Sequence, residues 1–243
     1  MKYSPSLEEG ILIKRYKRFL ADIETADGKL MTIHCPNTGA MTNCAEAGDK
    51  VYYSKSDNPK RKYAYTWELS RTKQGHFIGI NSAKANHIVR EAVESGQIDE
   101  LGPINNIEAE VAYGRERSRI DLLLHTSEQP DCYVEIKSVT LLDETFGQGC
   151  GFFPDAVSER GRKHLRELSE QKQLGNRAII FFCVQHSGIK NVAIAGHIDP
   201  EYKKEFDRAL EAGVEVIVYQ CAMSPNENKM CSSLEFRMNG ASL

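Results

Sequence analysis

Residues 119–139, RIDLLLHTSEQPDCYVEIKSV, leave this chain few ways to fold. Two apolar runs, 120–124 and 132–139, flank a polar segment that holds Pro130, the pattern of two strands joined by a tight connection. Each run carries charge where a buried strand should carry none: Asp121 in the first, Glu135 and Lys137 in the second. Residues two apart on a strand share a face, so Glu135 and Lys137 point together and Ile136 points away. A hairpin centred near residues 127–128 sets Asp121 opposite Glu135, and two carboxylates and an ammonium then converge on one patch of sheet. A slip of one residue would turn Asp121 to the other face.

Carboxylates held together repel, and something must offset that cost. A hard divalent cation does so, since magnesium and manganese favour carboxylate oxygen and water. Lysine beside them can orient a water or stabilise charge growing on a phosphate oxygen. Glu110, upstream in IEAEVAYG and just before the basic RERSR, is a further candidate acid. The same acids and lysine also fit a salt-bridged sheet edge facing solvent.

The rest of the chain divides by period. Up to about residue 80 it reads as short strands at 10–14, 19–25, 30–35 and 50–54. Turn signals lie between them at Asp27–Gly28, residues 37–39 and Gly48–Asp49, which suits a small barrel, of the oligonucleotide-binding (OB) type by preference. Positive charge gathers here beside aromatics: Lys14, Arg15, Lys17 and Arg18 around Tyr16, and Lys60, Arg61 and Lys62 before Tyr63, Tyr65 and Trp67. Such interleaving suits a groove that attracts phosphate and stacks bases; it equally suits a solvated loop with aromatics anchoring the core.

From residue 83 a helical period runs to Glu94, with Asn81 or Ser82 as cap and Gly96 as stop, which places a domain boundary near residue 82. After the hairpin, residues 141–153 are irregular and glycine-rich. Ser158 then caps a helix that Gly175 ends, with Val157, Leu165 and Leu168 facing the core. Arg160, Lys163 and His164 on that helix are placed to meet the carboxylates or a phosphate. RAIIFFCVQ, residues 177–185, is a strand covered on both faces. Asp199 and Pro200 start a helix that Gly213 ends, and 214–219 is another buried strand. The tail after Met223 is weakly patterned. The second domain, 83–243, is therefore α/β, a mixed sheet flanked by helices.

With 243 residues, 41% of them hydrophobic, the chain can bury a sizeable core. A net charge of -3 confines any nucleic-acid surface to a local patch. Seven cysteines without a CxxC pair, no leader pattern and no apolar run of transmembrane length point to reduced thiols and a cytoplasmic protein.

Several strings in order, RYKRFLAD (15–22), HCPNTGAM (34–41), KRKYAYTWEL (60–69), GRERSRIDLLL (114–124), DCYVEIKSVTL (131–141) and FPDAVSERGRKHLREL (153–168), resemble the bacterial sugar fermentation stimulation protein family over essentially the full length. The resemblance implies an OB-like barrel over residues 1–82 and a restriction-endonuclease-like domain with a PD-(D/E)xK core over 83–243. Carried across position by position, it implies Glu110 on the first core helix, Asp121, and Glu135-x-Lys137, with Ile120 where the motif's proline would stand.

On this reading Asp121 and Glu135 hold Mg2+ or Mn2+, Glu110 assists, and Lys137 positions an attacking water. Nucleic acid, most naturally DNA, would be gripped by Arg15, Lys17, Arg18, Lys60, Arg61, Lys62, Trp67, Arg160, Lys163 and His164. A nuclease and a non-catalytic DNA-binding regulator of sugar (maltose) metabolism are both expected of such a family. A small-molecule or protein-binding scaffold on the same fold is the third reading.

Overall fold

The computed structural model describes residues 1–127 and 129–238. The first six strands, β1 (Glu8–Tyr16), β2 (Leu20–Thr25), β3 (Leu30–His34), β4 (Lys50–Lys55), β5 (Tyr65–Arg71) and β6 (Phe77–Gly79), form one sheet. Five of these strands close into a barrel because β3 also meets β5, at His34 and Thr66. Alternation supplies the interior: Leu12, Ala21, Ile23, Ile33, Val51, Tyr53 and Trp67 point inward and are buried. Lys17 and Arg18 make the turn into β2 with φ of 50° and 64°. Strand β5, not among the four strands expected up to residue 80, turns Trp67 into the barrel core, so this aromatic anchors the core rather than lining a base-stacking groove.

Helix α1 (Lys84–Glu94) follows, then β7 (Asn106–Tyr113), β8 (Ser118–His125), β9 (Cys132–Val139), β10 (Leu141–Leu142), β11 (Cys150–Phe153), α2 (Glu159–Gln173), β12 (Arg177–Val184), β13 (Asn191–Ile194), α3 (Pro200–Glu211), β14 (Glu215–Met223), β15 (Asn228–Ser233) and β16 (Glu235–Arg237). The central sheet has the order β15-β14-β12-β9-β8-β7, and a smaller one runs β10-β11-β13-β16. Strand β12 lies between parallel neighbours β9 and β14. Ile179, Phe181 and Cys183 face α1, while Ala178, Ile180, Phe182 and Val184 face α2 and α3. Covering on both faces is why RAIIFFCV carries no polar alternation.

Caps act where the sequence places them on two helices. The Ser158 hydroxyl accepts from the Gly161 amide, and the Asp199 carboxylate accepts from the Tyr202 amide ahead of Pro200. Helix α1 differs: its N-cap is Ala83, with no side-chain cap. Val157, expected in the core, is 69% exposed, whereas Leu165 and Leu168 are buried. The glycine-rich stretch after β9 carries β10 and β11, and the weakly patterned tail carries β15 and β16. Short strands take their place from the sheet they join, which a local period does not display.

Backbone hydrogen bonds stitch the barrel to the second domain. Gly79 donates to the Gln185 carbonyl at 2.8 Å, Ser187 to Phe77 at 2.9 Å, and at the amino end Tyr3 donates to Asn226 and Leu7 to Pro225. No helix among the described residues is long and apolar enough to cross a membrane.

Candidate functional site

Strands β8 and β9 pair through Leu122 with Val134, Leu123 with Tyr133 and Leu124 with Cys132. Glu128, at the expected centre of the connection, lies outside the described residues. Continued one step, that register sets Asp121 opposite Glu135. The ladder gives way there, and the Asp121 carboxylate takes over: its Oδ2 accepts from the Ile136 amide at 2.7 Å. Its Oδ1 accepts from the Asn86 side chain on α1, also at 2.7 Å. Burial first, and then the charge of Glu135, push the Asp121 carboxyl up to about 6 against these donors and Lys137.

Glu135 is 3% exposed, and its two oxygens are treated unequally. Oε1 accepts from Lys137 Nζ at 2.6 Å and also meets His164 Nδ1. Oε2 is buried with no partner among the described residues. Burial opposes the charged form of this carboxyl, but Lys137 and His164 outweigh it and hold it below its ordinary range. The buried Tyr113 hydroxyl has no partner among the described residues, and burial, then Glu135, Glu167 and Asp121, push it up. Glu167, 1% exposed, accepts from the Glu116 amide at 2.7 Å and leaves its own Oε2 unpartnered.

The remaining expected residues are distributed differently. Glu110 is on strand β7 rather than on the first helix. It lies between the pairs Ala109–Leu122 and Val111–Ile120, hence across from Asp121, but its φ is 56° and its side chain is exposed. Its carbonyl, not its carboxylate, is engaged, by Arg119. Trp67 is fully buried in the barrel, with its indole N–H donated to the Leu69 carbonyl, so no base can stack on it. His164 is buried against Glu135 and is no phosphate ligand. Lys163 reaches the Glu116 carbonyl and fastens the β7–β8 turn. Arg160 is exposed, with Nε 3.4 Å from the far nitrogen of His164.

Arg15 is also spoken for: its guanidinium donates to the carbonyls of Arg18, Asn37 and Gly39 at 2.8, 3.0 and 2.9 Å. Lys17 and Arg18 are exposed at the β1–β2 turn. Lys60, Arg61 and Lys62 are exposed on the β4–β5 loop and make no ion pair among the described residues.

Asn86 and Glu167 carry no sequence motif of their own. Asn86 sits beside the buried stripe of Ala85, Ile88, Val89 and Ala92, the one signal that could have drawn attention to it. Glu167, one turn on from His164, falls in the same buried row as Leu165 and Leu168.

Could a divalent cation fit? The orphaned Glu135 Oε2 and the desolvated Asp121 supply anionic oxygen, while no cluster of three or more acidic, His or Cys side chains at ligating spacing occurs among the described residues. One or two carboxylates, with water and substrate completing the shell, is the donor set of magnesium rather than of a calcium cage or zinc site.

A barrel, a mixed α/β domain and a carboxylate pair at the fraying edge of the β8–β9 ladder define a two-domain protein. The profile of the SfsA N-terminal OB domain matches residues 13–80, and that of the sugar fermentation stimulation protein RE domain matches 83–227. The chain belongs to the sugar fermentation stimulation protein family. A homologue from Shewanella sp. (strain W3-18-1) is 55% identical over 238 residues, 98% of this chain and 100% of that one. One from Psychromonas ingrahamii is 57% identical over 214 residues, 88% and 94% of the two chains. The solved structure of Pyrococcus furiosus SfsA in complex with Ca2+ superposes with a TM-score of 0.86 at 24% identity, covering 98% of each chain.

Proposed function

We propose that this chain binds nucleic acid, DNA in the first instance, and carries a magnesium- or manganese-dependent phosphodiesterase site at Asp121 and Glu135. The observation that carries the reading is the asymmetry of Glu135. Two cationic or donor groups crowd Oε1, and Oε2 stays buried and bare. A buried carboxylate oxygen without a partner costs several kcal/mol, on the order of 2–5, unless something positive meets it. Asp121 faces the same need with its carboxyl already pushed up. The calcium ion named with the Pyrococcus furiosus structure is consistent with a cation-binding centre in this fold.

A bound ion would neutralise charge developing on the phosphate oxygens and lower the pKa of a bound water. The chain's own groups do the rest. Asn86 and the Ile136 amide fix both oxygens of Asp121. His164 holds Glu135, and Lys137, whose ammonium donates to Glu135 Oε1 and whose side chain is 14% exposed, would offer its charge to a phosphate oxygen or an attacking water. Glu110, exposed across the strand from Asp121, is placed to reach only through water.

Calorimetric titration of Mn2+ into the wild type and Glu135→Gln, paired with cleavage of labelled DNA and RNA, tests this. Binding and cleavage that both disappear in the variant are the expected result; no binding in the wild type would end the metal reading. A second reading, a non-catalytic DNA binder, draws on the unpaired cluster Lys60, Arg61 and Lys62. It expects salt-sensitive DNA binding that survives Glu135→Gln.

A further inference from the structure

A cleft of ≈ 200 Å³ opens where the barrel meets the second domain. Asn37, Ser138, Thr140, Leu141, Phe153 and Asp155 are among the residues that line it; Ser138 follows Lys137 on β9 and points to the opposite face of that strand. It is smaller than the roughly 300–1,000 Å³ of a drug-sized pocket and on the scale of one heterocyclic ring system. From the geometry of this cleft we infer that it receives a single unpaired nucleobase of the bound strand, guanine before the others; the inference rests on the nucleic-acid reading of the carboxylate centre carried by the same strand, β9.

The polar lining is built and directional. Asn37 Oδ1 accepts from the Gly39 amide at 2.8 Å, which leaves its NH2 to donate. The loop carrying both residues is fastened from behind by Arg15, which donates to the carbonyls of Asn37 and Gly39. Gly39 lets the loop approach closely: a Cβ there would stand 2.8 Å from Asp155 Oδ2.

Asp155 itself, half-buried, has no hydrogen-bond or ion-pair partner among the described residues. A carboxylate accepts and an amide NH2 donates. Guanine presents two adjacent donors, N1–H and the 2-amino group, beside the O6 acceptor, which complements a carboxylate and an amide set side by side. Uracil and thymine present one donor between two acceptors, and cytosine one donor beside two acceptors. Either base would turn a lone pair toward Asp155. Leu141 and Phe153 give the apolar wall that an unstacked base requires.

The test uses the full chain in EDTA, so that neither metal nor cleavage enters. Fluorescence anisotropy compares a labelled oligothymidine with the same strand carrying one central guanine, and guanosine monophosphate is run as competitor. The guanine strand should bind about tenfold or more tighter. Asp155→Asn, which replaces an acceptor by a donor, should remove that preference, and Gly39→Ala should weaken it by displacing the carboxylate while keeping its charge.

Glu135→Gln should leave the preference intact, which separates this inference from the metal reading. Competition by the mononucleotide assigns the cleft to the base itself. Equal binding of both strands, or an undiminished preference in Asp155→Asn or Gly39→Ala, would overturn it even if the protein cleaves nucleic acid.

Discussion

Asp121 is the group whose replacement should speak most directly, because its environment sets charge against burial. In the metal-free protein its carboxyl is raised from 3.8 to about 6, by burial and then by Glu135. At 1.36 kcal/mol per pH unit, a rise of about two units corresponds to roughly 3 kcal/mol by which the folded state disfavours the ionised form. The folded protein thus binds this proton more tightly than the unfolded chain does. The penalty is absent below the unfolded value, grows between 3.8 and about 6, and is complete above that.

An asparagine in place of Asp121 would carry no charge at any pH, and its amide oxygen can still accept from Ile136. Asp121→Asn should therefore match the wild type near pH 4 and exceed it in stability by about 2–3 kcal/mol above pH 7. Urea denaturation in EDTA across that range measures the difference directly. The difference between the two proteins cancels the titration of carboxylates that do not interact with Asp121; Glu135, which does, is held below its ordinary range by Lys137 and His164. A gap that stays flat within about 0.5 kcal/mol, or an asparagine variant that loses ground as pH rises, would refute the reasoning. Magnesium at a hundred times its dissociation constant should then add about 2.7 kcal/mol to the wild type and little to the variant.

Two further perturbations follow from particular contacts. Gly114 has φ of +70°, and a Cβ there would lie 2.2 Å from Glu167 Oε1; Gly114→Ala should cost about 2–4 kcal/mol, read as a lowered urea midpoint with an unchanged slope. Neutralising Lys60, Arg61 and Lys62 to Gln should weaken DNA binding irrespective of sequence and reduce the salt slope by up to about three, measured by anisotropy at several ionic strengths; an unchanged slope would remove this loop from the interface.

The chain's local rules were enough to place much of its architecture. Strand alternation and a connection of fixed length set Asp121 across from Glu135, because a register error would have turned the leucines of β8 outward. Ser158, Asp199 and Pro200 announced two helix starts, since a cap is a contact between residues three apart. Continuous hydrophobicity marked β12 as covered on both faces.

What needed the tertiary structure was every choice between two environments that local sequence treats alike. Trp67 beside three basic residues looks the same whether its ring meets a base or a barrel core, and only closure of β3 on β5 turns it inward. His164 and Lys163 are neighbours on one helix, yet packing of α2 on the sheet sends the first to Glu135 and the second to the β7–β8 turn. Asn86 joins Asp121 across 35 residues, and Gly39 meets Asp155 across a domain seam. Sequence settled which side chains could carry charge and which strand face they shared. Long-range packing decided which of them lost their water: desolvation raises the Asp121 carboxyl, while Lys137 and His164 hold that of Glu135 down against it.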